Sequence, residues 1–295
     1  MPKTDKPKPD VSIIGTGRLG TALAIALSSE GYSINALIAR RRGNARRAAA
    51  LLDGPTRVMA VKDLADSPAP GLLLIATPDD QIATVPGMLG ELDWLDGKTP
   101  TVLHTSGALS SDVLSPLRDK GWSTGSLHPL VSVSEPKAGA RLLRGAFWCV
   151  EGDRRAVRQG KAIVRDLEGK SFSISADKKP LYHAAAVMVS GNVTALFDVA
   201  LEMLGQCGLE RTQARQALLP LLASAVRNLE EMETSRALTG TFARGDVETV
   251  KRHLETLKGN KSALEIYRVL GLGSLDLSAA RLDPVVVKRI RSLIG

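Results

Sequence analysis

Gly15-Thr16-Gly17-Arg18-Leu19-Gly20 spaces three glycines as G-x-G-x-x-G, directly after the apolar run Val11–Ile14 and at the head of an amphipathic segment. In that setting each glycine has a task. Gly15 permits a tight turn, Gly17 admits a pyrophosphate to the backbone, and Gly20 lets a helix pack on the strand. The unpaired amides at the helix start then face the anion, with Thr16, Arg18 and Leu19 in the same turn. A site for NAD usually carries Asp or Glu about 20 residues on, against the ribose hydroxyls. Here Arg40 stands in that region, followed by Arg41 and Arg42. A guanidinium binds a 2′-phosphate bidentately where a carboxylate repels it. The expected cofactor is NADP, held by Arg40 and Arg41. Thr77-Pro78 follows the apolar run Leu72–Ala76 and is expected beside the nicotinamide half of the cofactor.

The remaining candidates for chemistry are polar residues at strand ends. His104 and Ser106 close one run in His104-Thr105-Ser106-Gly107, and His128 closes the next. His183 lies early in a long apolar segment, within Tyr182-His183-Ala184-Ala185-Ala186. Hydride transfer to a carbonyl or imine leaves charge on the acceptor atom, which an imidazole of ordinary, near-neutral pKa can quench. Ser106, His128 and His183 are expected to converge on the substrate side of the nicotinamide as the catalytic set, with His183 the general acid, Ser106 a hydrogen-bonding contact to substrate, and His128 or Arg244 a partner for a substrate carboxylate. His104 and Arg244 are expected to bind substrate, Arg244 from just before a helix start at Asp246. The three histidines come from separate elements with no His-x-x-x-His pair, so no metal site is expected. His253 flanks an apolar helix face and reads as surface.

Strand-type runs recur at 11–14, 33–39, 57–61, 72–76, 101–104, 122–127, 147–151 and 171–175, with helical text between several of them. Arg18–Glu30 carries Leu19, Ala22, Leu23, Ala26 and Leu27, the stripe of a helix packed on one side. Such alternation predicts an α/β domain, doubly wound about a parallel sheet, over residues 11–176. Beyond Asp177 the text is helical throughout, predicting an all-α C-terminal domain over 177–295. Its first helix, Lys179–Gln206, is apolar nearly all round and is expected to run unbroken for about 40 Å, buried on most sides. Later helices are expected from about Arg211, bent or interrupted at Pro220, and at 246–257, 262–270 and 284–294. Residues 1–10 have almost nothing to bury and read as a disordered tail.

Composition narrows the function classes. Of 295 residues 44% are apolar and 24% charged, an ordinary globular mix. Net charge is +8, yet aromatics are only 3%, so the stacking surface of a nucleic-acid binder is missing. Two cysteines, Cys149 and Cys207, exclude a disulfide framework and fit a reducing cytoplasm. No unbroken apolar run approaches the roughly 20 residues that span a bilayer. The expected partners are a small-molecule substrate and a second copy of the chain, with neither nucleic acid nor membrane.

The stretches 11–20, 74–80, 104–109, 125–130, 182–192 and 237–253 together resemble a known group, Rossmann-like proteins with a C-terminal helical domain of unknown function. Members are commonly labelled as NADP oxidoreductases without a known substrate. More distantly the chain is similar to pyrroline-5-carboxylate reductase, prephenate dehydrogenase, ketopantoate reductase and the β-hydroxyacid dehydrogenases. The resemblance implies a dimer built on the helical domain and an active site between the domains. Thr241 stands where the group suggests proline after Thr239-Gly240. The β-hydroxyacid dehydrogenases place asparagine four residues after a helix lysine. Here His183 holds that spacing from Lys179, and Asn192 lies nine residues further, so the pair does not carry over. The expected activity is NADP(H)-dependent hydride transfer to or from a small carbonyl or imine, with a carboxylate on the substrate. The alternatives are a non-catalytic dinucleotide-binding or redox-sensing protein, and hydride exchange with a deazaflavin coenzyme.

Overall fold

The computed structural model describes residues 7–66, 68–92 and 98–295. Contacts divide the chain into two compact units, 1–191 and 192–295. The first unit is built on eight strands: β1 (Val11–Ile14), β2 (Ile34–Ala39), β3 (Arg57–Ala60), β4 (Leu72–Ile75), β5 (Thr101–His104), β6 (Ser123–Pro129), β7 (Phe147–Gly152) and β8 (Lys170–Phe172). They form one sheet in the order β3-β2-β1-β4-β5-β6-β7-β8. The chain reverses its direction of travel between β1 and β4, the switch point where such sheets bind ligands. All four residues of β1, β4 and β5 are buried, as expected of central strands covered on both faces.

The sheet departs from the expected parallel array at β6 and β7, which pair antiparallel, with His128 opposite Cys149. The chain between them forms a helix over Pro136–Leu143 that was not expected. Glu135 caps it by accepting from the amides of Lys137 and Ala138, and Pro136 suits its first turn. It packs on the helix Arg18–Ser29, where a Cβ on Gly139 would come 3.1 Å from Ala22 Cβ. Having packed there, the connection returns to the sheet alongside β6 rather than crossing over it. The helices of at least eight residues are α1 (Arg18–Ser29), α2 (Arg42–Ala49), α3 (Pro136–Leu143), α4 (Arg154–Asp166), α5 (Lys179–Val189), α6 (Gly191–Gln206), α7 (Arg211–Glu231), α8 (Val247–Leu257), α9 (Lys261–Ser278) and α10 (Pro284–Ile294). One core layer gathers residues of α1, α3 and α4 with the inner residues of β1, β2, β4 and β7. The other covers the opposite face with Ile75, Val102, Leu114 and Trp122.

Of the expected N-terminal tail, residues 1–6 lie outside the described residues. Residues 7–10 are tethered: Lys8 donates to the Glu30 carbonyl (2.5 Å) and pairs with Asp166 (3.3 Å).

The long apolar segment differs from expectation in two ways. Ser190, at φ −119° and ψ −81°, leaves the helical region and separates α5 from α6. Its hydroxyl donates to the Ala186 carbonyl (2.7 Å), a back-bond that bends helices. The segment is also exposed rather than buried: Leu181 is 72%, Met188 65% and Val189 76% exposed. Ala176–Gln206 is long and apolar enough to cross a membrane by length and composition alone, its most apolar 18-residue window having mean hydropathy 1.6.

The second unit is all helical among the described residues. Asp246 caps α8 by accepting from Thr249 N (3.1 Å), and Asp283 caps α10 through Val285 N (2.7 Å) with Pro284 in the first turn, as the sequence predicts. Its core joins Val247 and Val250 of α8 to Leu275 of α9 and Ile290 and Ile294 of α10. Helix α7 runs on through Pro220, and α9 continues to Ser278, beyond its expected end.

Candidate active site

The glycine turn between β1 and α1 has the geometry its spacing predicts. Gly15 has φ +99°, and a Cβ there would lie 2.6 Å from the Ala76 carbonyl carbon and oxygen. A Cβ on Gly20 would collide with the Gly15 carbonyl, whereas Gly17 faces open space. No side chain caps the α1 N-terminus at Gly17 and no acidic residue sits in its first turn. The helix start therefore presents amides and positive potential to an anion. A cleft of about 740 Å³ runs over this turn, lined by Gly15, Thr16, Gly17, Arg40, Arg41, Asn44, Ala76, Thr77, Pro78 and Gln81 among others. Thr77 Oγ1 is buried here without a hydrogen-bond partner, the kind of polar atom that a ligand satisfies. These residues fit an adenine dinucleotide with its pyrophosphate on α1.

The arginine run divides by role. Arg40 and Arg41 line the cleft at the end of β2, beside the uncapped start of α2. Arg42 turns away and donates from Nε (3.1 Å) and a terminal nitrogen (2.7 Å) to Asp63. The same carboxylate oxygen accepts from Ala60 N (2.8 Å), which ties the loop after β3 to α2.

A second cavity of about 470 Å³ shares Gly17, Ala76, Thr77 and Pro78 with the first, so the two form one continuous groove. Arg18, Leu19 and Asp79 line it near the glycine turn, with Thr105, Ser106, Gly107, His128 and His183 further along and Pro129, Val131 and Val133 as an aliphatic wall. Gly107 brings the two imidazoles together. A Cβ there would lie 2.7 Å from His128 Nε2 and would collide with His183 Nδ1. The rings meet edge to face with centroids 5.7 Å apart. His183 Nδ1 is buried without a partner. Ser106 Oγ accepts from Ala108 N (3.1 Å) and Leu109 N (2.9 Å), leaving its own hydrogen to donate.

His104 is not on this surface. It is fully buried, with Nδ1 accepting from Ser106 N (3.2 Å) and Nε2 against the Ser110 carbonyl (3.1 Å). Both ring nitrogens are spent on shaping the 104–110 loop, so the expected substrate contact is replaced by a structural one. His128 lines the groove beside His183 and Ser106, as expected. Burial, and then the charge of Lys179, lower its pKa to about 3, so the ring it presents there is neutral. Arg244 belongs to the helical unit, where it ends a short helix, Thr241–Arg244, before Gly245 at φ +68°.

Two residues stand out that were not expected. Lys179 is fully buried, with Nζ donating to the Ser106 carbonyl (3.0 Å) and Ser126 Oγ (2.9 Å). Tyr182 places its hydroxyl 2.6 Å from His128 Nδ1. The available signal was a lysine opening an apolar helix, one turn ahead of His183. Among the described residues no cluster of three metal-binding side chains occurs.

The fold and this groove define a class, a Rossmann-like dinucleotide-binding unit followed by a helical unit. The sequence profile of a Rossmann-like domain matches residues 3–129, and that of a domain of unknown function, DUF2520, matches residues 146–273. The two matches follow one another along the chain. No curated protein matches it in sequence. Among solved structures, it is similar to a Bacteroides fragilis protein named provisionally as an NADP oxidoreductase (22% identity, 91% of this chain and 98% of that one, TM-score 0.74). It is also similar to protein TM1727 from Thermotoga maritima (25% identity, 92% and 99% covered, TM-score 0.70). A Plasmodium falciparum pyrroline carboxylate reductase with NADP bound aligns at 12% identity (97% and 98% covered, TM-score 0.59).

Proposed function

We propose that this protein is an NADP(H)-dependent oxidoreductase that transfers hydride to or from a small carbonyl or imine. One observation carries the reading: a single groove joins a phosphate-binding turn and two arginines to a pair of half-buried imidazoles. Arg40 and Arg41 would hold the 2′-phosphate, the α1 N-terminus the pyrophosphate, and Thr77 and Pro78 would border the nicotinamide. The cofactor supplies or accepts the hydride when bound. The chain's own residues do the rest. Ser106 Oγ donates a hydrogen bond that orients substrate, and His183 exchanges the proton at the acceptor atom. Arg18, on the groove itself, is the cation best placed in this unit for a substrate carboxylate. Solved structures of similar fold support the reading, including a reductive aminase from Aspergillus terreus in complex with NADPH and ethyl-5-oxohexanoate.

The helical segment from residue 177 onward serves as the substrate and dimerisation domain in this reading. The exposed apolar residues of α5 are then covered by a second copy rather than by lipid. The two unpaired cysteines, one buried and one exposed, accord with a cytoplasmic protein. The test is NADPH oxidation, followed optically, across keto acids, cyclic imines and enoyl acids. Turnover with a small acceptor supports the proposal. Tight NADPH binding without turnover on any acceptor turns the reading to a dinucleotide sensor, and turnover confined to a deazaflavin turns it to coenzyme exchange.

A further inference from the structure

We propose that Lys179 and Tyr182 are positioning residues that present His128 to the groove as a neutral imidazole with its hydrogen on Nε2. Its use in catalysis rests on the oxidoreductase reading, but the state itself does not. The argument begins with Tyr182, whose hydroxyl lies 2.6 Å from His128 Nδ1 and has no other hydrogen-bond partner among the described residues. Burial raises the phenol's pKa, so the hydroxyl keeps its hydrogen, and in the proposed arrangement it donates that hydrogen to the ring. Nδ1 is the acceptor at hand. A neutral ring that accepts at Nδ1 carries its hydrogen on Nε2, and Nε2 is the atom beside Gly107 on the groove.

Burial does most to keep the ring neutral, and Lys179, whose own pKa burial lowers, adds to it. Lys179 is fully buried and makes no ion pair within 4 Å among the described residues, yet its ammonium is held by two oxygens. Its Nζ lies 5.7 Å from the Tyr182 ring centroid, on the ring that reaches His128. Glu151, opposite Ser126 in the β6–β7 register, supports the ammonium at longer range while bonding Ser111 N and Oγ (both 2.7 Å). Around His128 stand Lys179, Tyr182 and His183 from α5, His104 from β5, and Cys149 and Glu151 from β7. Arg18 and Asp79 line the same cavity. Lys179 is the cation buried among these groups, and it opposes a second positive charge on the ring. Its bond to the Ser106 carbonyl also anchors the peptide that leads into Gly107. A neutral N–H donor, preorganised toward the acceptor atom, stabilises charge developing there without needing an acidic pH.

The experiment is two-bond 1H–15N correlation spectroscopy of the histidine rings, with His128 assigned through His128→Gln. In the wild type, Nδ1 should resonate as unprotonated and Nε2 as protonated, with no titration until well below pH 6. Lys179→Met should raise the His128 midpoint by at least about one pH unit. Tyr182→Phe should mix the two tautomers while leaving the ring neutral at pH 7. Hydrogen on Nδ1 in the wild type, a midpoint near 6.5, or an unmoved midpoint in Lys179→Met would each overturn the proposal. If Lys179→Met fails to fold, the wild-type titration and Tyr182→Phe still decide it. No substrate enters these spectra, so a chain inert toward every acceptor tested sinks the activity and leaves this result standing.

Discussion

Arg42 donates two hydrogen bonds to one carboxylate oxygen of Asp63, at 3.1 and 2.7 Å, and so leaves the cleft over the glycine turn to Arg40 and Arg41. Three consecutive arginines thus have two different uses. A hydrogen bond to a charged group contributes about 1.5–3 kcal/mol, so Arg40→Ala should weaken NADPH by roughly ten- to a hundredfold. NADH binding should barely change. Arg42→Ala should affect the two cofactors alike, since it acts through the α2–β3 loop. Calorimetry that finds equal wild-type affinity for NADPH and NADH would end this assignment.

The sequence named Arg40 and Arg41 for the phosphate and left Arg42 without a role; its pairing with Asp63 was not legible, because that contact depends on how the loop after β3 folds back on α2. What could be read was local: the glycine turn, the strand runs and the Asp caps follow from short-range rules about φ, amides and alternation. The antiparallel β7 was hidden because its direction depends on where α3 packs, a tertiary choice. The exposure of α5 was legible in part, since the segment is apolar on more sides than the short helices after it can cover; which of its residues stay uncovered was not. His104 and His128 looked equivalent at the ends of neighbouring strands. They diverge because the 104–110 loop folds back on the His104 ring while His128 remains on the groove.

Buried neutral histidines make the fold acid-sensitive. Burial, and then Lys179, lower the His104 pKa from 6.5 to about 4, and His128 falls to about 3. Below pH 6.5 the unfolded chain takes up protons that the folded chain refuses, so this stability is full above pH 6.5 and drains as pH falls. For His104 the loss is complete near pH 4 and amounts to about 3 kcal/mol. Urea midpoints measured from pH 7 to 4 should fall more steeply in the wild type than in His104→Asn, which has no imidazole to protonate. Parallel slopes in the two proteins would show that His104 is not the source.

The exposed α5 residues predict an assembly. Leu181, Met188 and Val189 are each more than half exposed, and burying such surface contributes about 25 cal/mol per Å². Light scattering at micromolar concentration should return twice the 31.3 kDa chain mass. Met188→Glu should shift the particle toward the single-chain mass while the Lys179–Tyr182–His128 contacts, on another part of the helix, remain. A 31.3 kDa wild-type particle would sink the dimer, and one that needs detergent to stay in solution would favour lipid as the cover.

The pairing of His183 with Gly107 gives the most direct test of catalysis. His183 Nδ1 is buried, unpartnered and turned to the Gly107 side of the groove, so it is free to bond a substrate atom there. His183→Ala should lower kcat by about a hundredfold or more, with NADPH affinity intact. Gly107→Ala offers an independent route to the same site. Its methyl would sit 2.7 Å from His128 Nε2 and collide with His183 Nδ1, so both rings must shift, while the glycine turn at 15–20 is untouched. Misplacing reacting groups by an ångström removes about a hundredfold in rate. Both variants should therefore bind NADPH normally and turn over slowly. If His183 only supports the fold, His183→Ala will instead melt earlier and keep its kcat, and the proton must then come from another group on the groove.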